Sequence, residues 1–155
     1  MKKSDLDSYN IKYCDKDSLN KMCIKYSNKN KFRYLWSDLK NQYSKRIIKI
    51  KARNIFYKEV EKYCINYKIY LFIDRCCIED CNEDLAIIAS SNTVLKILID
   101  NYWDLDEICI SSLNYEWVIW INHNFEVFFV GDKIIDFYEY IIKIDKIRDS
   151  IILFE

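Results

Sequence analysis

Apolar positions along the chain follow two different periods. From Lys31 to Ile50 they recur at Phe32, Leu35, Trp36, Leu39, Tyr43, Ile47 and Ile50. Spacings of three and four draw one helical stripe, with Lys40, Lys45, Arg46 and Lys49 turned away. Ile48-Lys49-Ile50-Lys51 also alternates as a short strand would, which leaves the end of that helix open. Phe56, Val60, Tyr63 and Cys64 define a second amphipathic helix over about residues 53–66. The pattern then changes. Ile69 to Ile73 is a short continuous run rich in β-formers, read as a buried strand ending at Asp74. A strand is expected again at Leu85–Ala89. Ser90 or Ser91 can cap the helix that follows, whose buried face is Val94, Leu95, Leu98, Ile99 and Tyr102.

Beyond a strand at Glu107–Ser112, Glu116–Asn122 and Phe125–Val130 are two β-rich runs separated by His123-Asn124, the mark of a hairpin. Trp117, Ile119 and Ile121 share one face, Val118 and Trp120 the other. With both faces apolar, the hairpin is either central and covered on both sides or keeps one face for a partner. Gly131-Asp132 ends it and opens a last helix with the stripe Ile134, Ile135, Tyr138, Ile141 and Ile142. The order predicts an α+β domain: N-terminal helices, then a mostly antiparallel sheet with a central Trp-bearing hairpin and interspersed helices. No linker interrupts residues 1–155, so a single domain is expected.

Composition changes this picture in two ways. Half the residues are apolar and 16% aromatic, enough for a real core, while there is one Gly (Gly131) and no Pro. Abundant Ile, Lys, Asn and Tyr with scarce Pro, Gly and Ala is what A/T-rich codons produce. The neutral total also hides a split. Residues 1–66 carry 17 Lys/Arg against 7 Asp/Glu, and residues 67–155 carry 7 against 17. Codon bias explains a Lys excess but not an acidic half, so the acids are the better pointer to a partner.

The chemistry-bearing residues assemble no enzyme signature. One Gly rules out phosphate-cradling Gly-rich loops and the nucleophile elbow. His123, the only His, sits at a hairpin tip with no assignable nucleophile or orienting partner. Seven Cys at irregular spacing, with Cys77-x₃-Cys81 as a lone pair, read as free thiols rather than a zinc site, and no cofactor is expected. No apolar run approaches a membrane span, and the opening MKKSDLDSYN lacks an apolar stretch after its lysines. A cytoplasmic, membrane-free protein is expected.

Between Asp74 and Glu107 nine Asp/Glu face only Arg75 and Lys96. The carboxylates Asp74, Glu79, Asp80, Glu83 and Asp84 follow a strand. Asp104, Asp106 and Glu107 flank Tyr102 and Trp103. Aromatics amid acids suit a basic protein partner, since aromatics anchor and charges steer. These ten residues form the candidate binding set. A second reading is nucleic-acid binding through the basic half, with Tyr26, Phe32, Tyr34, Trp36 and Tyr43 as stacking platforms. A third is a metal-dependent nuclease built on the carboxylates from Asp74 to Asp84.

The arrangement from Lys68 to Gly131 (strand, acidic loop, capped helix, short strand and the hairpin EWVIWINHNFEVFFVG) resembles small bacterial immunity proteins encoded beside polymorphic or contact-dependent growth-inhibition toxins. The resemblance implies a cytoplasmic, non-enzymatic antagonist that binds one toxin, often a nuclease, and blocks its active site. Its acidic surface would take the place of a phosphate backbone, and no catalytic residue carries over.

Overall fold

The computed structural model describes residues 1–28, 32 and 38–152. Helices α1 (Lys3–Leu6) and α2 (Lys16–Tyr26) flank the short strand β1 (Lys12–Tyr13). Strand β2 (Lys45–Ile50) and helix α3 (Arg53–Tyr63) follow. The chain continues through β3 (Lys68–Ile73), β4 (Leu85–Ser90), α4 (Ser91–Asp100), β5 (Ile108–Ser112), β6 (Val118–Ile121), β7 (Glu126–Val130), α5 (Ile135–Ile141) and β8 (Arg148–Ile152). The strands form one sheet in the order β1-β4-β3-β5-β6-β7-β2-β8, and every pairing is antiparallel. The α+β class is as predicted. Among the described residues no helix is long and apolar enough to cross a membrane.

Because side chains alternate across a strand, the apolar runs divide between two cores. Ile69, Leu71 and Ile73 join Ile108, Ile110, Ile119, Ile121, Val127 and Phe129 in one, beneath Phe56 and Val60 of α3, Val94 and Leu98 of α4, and Phe137 and Ile141 of α5. Tyr70, Phe72, Cys109, Val118, Trp120 and Phe128 point the other way, onto Leu19, Met22, Cys23 and Tyr26 of α2, Phe32 and Leu39. The hairpin is therefore central and covered on both faces. Trp120 is almost wholly buried, with the Phe32 ring 4.7 Å away.

Local signals place several elements where expected. The Ser90 hydroxyl accepts from Thr93 N at the start of α4, which satisfies one of the free donors of the first turn. Gly131 has φ +104°, and any Cβ there would lie 2.5 Å from the Glu116 carbonyl oxygen, so the only glycine stands where no side chain fits. It leads into a single 3₁₀ turn, Asp132–Ile134, with no side-chain cap, and α5 begins only at Ile135.

Other elements differ from expectation. The helix predicted over Lys31–Ile50 gives way at its C-terminal end to β2, which pairs with β7 on one side and β8 on the other. Ladder bonds on both edges and β-branched Ile47, Ile48 and Ile50 outweigh a helical spacing that the same residues also satisfy. Phe32 and Leu39 from that stripe are core residues without being helical; Leu35 and Trp36 lie outside the described residues. Helix α2 is an element the pattern analysis did not place, although Asp15 caps it by accepting from Ser18 N. At the hairpin tip the left-handed residue is Phe125, φ +60°, rather than His123 or Asn124. Asn122 Oδ1 accepts from the N–H groups of Asn124 and Glu126, and Phe125 N donates to Asn122 O at 2.9 Å.

Trp120 carries a prediction about packing. Trp120→Ala is expected to destabilise the fold by about 3–5 kcal/mol in urea titrations. Trp120→Phe should cost clearly less, because the buried Trp120 Nε1 has no hydrogen-bond partner among the described residues to lose. Equal losses for the two variants would contradict this account of the second core.

Candidate functional site

Antiparallel pairing carries the C-terminal end of β3, the N-terminal end of β5 and the tip of the β6–β7 hairpin to one end of the sheet. Both acidic segments leave from that end and meet. Asp74 N donates to Glu107 O at 3.1 Å, and the Cys77 thiol lies 3.6 Å from Asp106 Oδ1. The Met1 ammonium sits between Glu79 Oε1 at 3.4 Å and Asp104 Oδ2 at 3.5 Å. The ten candidate residues thus belong to one region, yet they divide in role.

Several carboxylates shape the region itself. Asp74 is buried and accepts from Cys76 N at 2.9 Å, capping the 3₁₀ turn Arg75–Cys77. Asp84 accepts from Arg75 N at 2.9 Å and so closes the acidic loop on itself. Asp80 accepts from Lys3 N at 2.6 Å. Exposed Glu83 pairs with Lys16 Nζ at 2.7 Å, and the ammonium beside it holds its carboxyl below the usual range. Glu107 is buried. Its Oε1 accepts from His123 Nδ1 at 2.5 Å and from the His123 backbone N–H at 3.3 Å, while Oε2 has no hydrogen-bond partner among the described residues. Asp74 and Glu107 are therefore internal supports and are not available to touch a partner.

What remains outward is Trp103, 83% exposed, with Asp104 and Asp106 beside it and Glu79 across the Met1 ammonium. Tyr102 packs edge-on against Trp103, ring centroids 5.0 Å apart. Its other contact is one that the pattern analysis missed. The Arg53 guanidinium, at the start of α3, lies 3.9 Å from the Tyr102 ring centroid and 4.3 Å from that of Phe125. This cation–π sandwich joins the aromatic loop to the hairpin tip. Arg53 is buried, and its Nε and Nη1 find no hydrogen-bond partner among the described residues. No local pattern could mark it, because both rings reach it only through the tertiary fold.

The other candidate chemistry disperses. All seven cysteines are free. Cys64 lies beside Lys68 and Ile69 at the start of β3, the end away from Cys76, Cys77 and Cys81, and Cys109 belongs to the core opposite Cys77. Burial pushes the Cys77 thiol up to about 11. Among the described residues no three His, Cys, Asp or Glu side chains converge as a metal site. Of the aromatic residues in the basic half, Tyr26 and Phe32 are core and Tyr43 packs tilted against Tyr26, ring centroids 4.7 Å apart; Tyr34 and Trp36 lie outside the described residues. Comparison with family models, with curated proteins and with solved structures returns no match to this chain.

Burial raises the Glu107 carboxyl above the usual range, and its hydrogen bonds from His123 offset only part of that. A carboxyl raised in the folded state favours folding below its ordinary pKa. That contribution is lost as pH rises through the raised value. Glu107→Gln keeps an oxygen for His123 and removes the charge. Its stability relative to the parent is expected to improve as pH rises from about 4.3, read as the difference in urea midpoint. A difference that stays flat with pH would show that Glu107 does not titrate as its burial dictates.

Proposed function

We propose that this protein is a non-enzymatic binding protein that docks a basic partner on the acidic, Trp-tipped end of its sheet. We further propose that the partner is a bacterial toxin of the nuclease type, neutralised in the cytoplasm as immunity proteins neutralise theirs. The observation that carries the reading is Trp103. A large aromatic ring left 83% exposed among Asp104, Asp106 and Glu79 forgoes the roughly 1.5–3 kcal/mol that burying a large apolar side chain returns. A partner that covers it recovers that energy, and the surrounding carboxylates steer a basic surface onto it.

The scaffold supports such a role. Arg53 fixes Tyr102 from below, and Asp74, Asp84 and Glu107 hold the two loops by hydrogen bonds to backbone and to His123. A preorganised surface loses less entropy on binding. The nucleic-acid reading has weaker support, because Tyr26 and Phe32 are occupied in the core and cannot stack on bases. The nuclease reading has weaker support as well, because the carboxylates do not converge: Asp74 and Asp84 bond within their own loop, and Glu79, Asp80 and Glu83 engage the N-terminal segment.

The test measures binding to a panel of catalytically inactive nuclease toxin domains, with growth protection on co-expression as the second readout. One domain should bind and be neutralised. Trp103→Ala is expected to raise the off-rate, and Asp104→Lys with Asp106→Lys to slow association most at low salt, where Coulomb steering is strongest. Charge reversal at exposed Lys49 and Lys58 should change little. Loss of protection from the Lys variants with the acidic variants intact would place the interface on the wrong half.

A further inference from the structure

Costs to stability gather at the tip of the β6–β7 hairpin. Phe125 holds φ +60°, in the left-handed region where an aromatic side chain is strained and Asn or Gly is usual. Its backbone is pinned there, donating to Asn122 O and accepting from Ile50 N, both at 2.9 Å. Tyr115 shares the left-handed region, φ +55°. Its ring, however, stacks on Tyr70 at 5.3 Å and its hydroxyl donates to Ser18 O at 3.0 Å, so packing inside the fold offsets that strain. Phe125 remains 36% exposed. The Arg53 guanidinium against its ring belongs to a residue only 3% exposed, with Nε and Nη1 unpaired among the described residues. Strain and unmet donors that the fold itself does not offset point to a binding surface.

Phe125, Arg53, Tyr102 and Trp103 touch in turn, at 4.3, 3.9 and 5.0 Å. The two outer rings are exposed. One comes from the hairpin and the other from the loop after α4, and only the tertiary fold brings them onto one surface. Carboxylates stand at the Trp103 side, where Asp104 is joined to Glu79 through the Met1 ammonium. An all-basic chain would pair with these acids and leave both rings in water. A wholly apolar chain would cover the rings and strip water from carboxylates it cannot bond. A segment with both large apolar and basic side chains satisfies rings and acids together.

We propose that the hairpin tip is the second half of the docking surface, with Phe125 and Trp103 as paired anchors for an amphipathic basic segment of the partner. The inference rests on the acidic end being the docking site. To that reading it adds an anchor outside both acidic segments and an apolar requirement on the partner. Basic side chains meet Asp104 and Glu79, and apolar ones cover the two rings.

The experiment follows the Trp103 indole and the Phe125 ring by NMR, assigned through Trp103→Phe and Phe125→Asn, while the full chain is titrated with two peptides of equal length. One is an amphipathic Leu/Lys peptide and the other is all Lys. The Leu/Lys peptide is expected to shift both rings together and saturably while the buried Trp120 indole stays put. The all-Lys peptide should bind at least roughly tenfold more weakly. Phe125→Asn places a residue suited to the left-handed conformation, so it should leave the Trp120 resonance in place and weaken the Leu/Lys peptide at least about tenfold. The proposal is overturned if the Leu/Lys peptide shifts neither ring or Trp103 alone, if the all-Lys peptide binds as tightly, or if folded Phe125→Asn binds like the parent. Asp104→Lys with Asp106→Lys tests the underlying reading separately. Insensitivity to that reversal would sink the acidic-end reading, with the paired anchors still decided by Phe125→Asn.

Discussion

Strands β6 and β7 have no side that can meet water. Val118, Ile119, Trp120 and Ile121 are all buried, as are Val127, Phe128, Phe129 and Val130. Side chains on one strand point alternately to two faces, so this pair requires cover above and below. Helices α3, α4 and α5 supply it on one face. Helix α2, Phe32 and Leu39 supply it on the other. With each large side chain contributing roughly 1.5–3 kcal/mol on burial, neither layer can be lifted away cheaply. Both sheet faces being occupied, the acidic surface lies where the strands end.

The parts of this arrangement legible in the sequence are those written locally. The strand Ile69–Ile73, the Ser90-capped helix and the two-faced hairpin each have their signal within a few residues. Residues 45–50 show the limit. Ile47 and Ile50, three apart, satisfy a helical stripe, and only β7 and β8, drawn from the far end of the chain, decide for a strand. Helix α2 is a different case. Asp15 as a cap and Leu19, Met22, Cys23 and Tyr26 at helical spacing are a local signal that the charge of the surrounding segment obscures. At the hairpin tip the sequence marks a turn, but which residue takes the left-handed conformation depends on Asn122 bonding to the backbone of Asn124 and Glu126.

The candidate site was legible as a cluster and not as a set of roles. Counting carboxylates from Asp74 to Glu107 identifies the region, but a count cannot separate Asp74 and Glu107, turned inward, from Asp104 and Asp106, turned out. That separation depends on hydrogen-bond supply. A buried carboxylate persists only where donors are at hand, and the N–H of Cys76 and the two N–H groups of His123 provide them. Carboxylates without such donors stay in water and set the surface potential.

Arg53 shows why a buried arginine suits this end of the sheet. A lysine ammonium is compact and strongly hydrated, and burying it between two rings would strip that hydration for little return. A guanidinium is planar and weakly hydrated, and it can lie against Tyr102 and Phe125 at once. Trp103 and Asp104 remain exposed, while the loop that bears them is fixed from beneath through Tyr102. Trp103 and its neighbouring carboxylates are thus carried on a base that Arg53, Tyr102 and Phe125 tie to the hairpin tip.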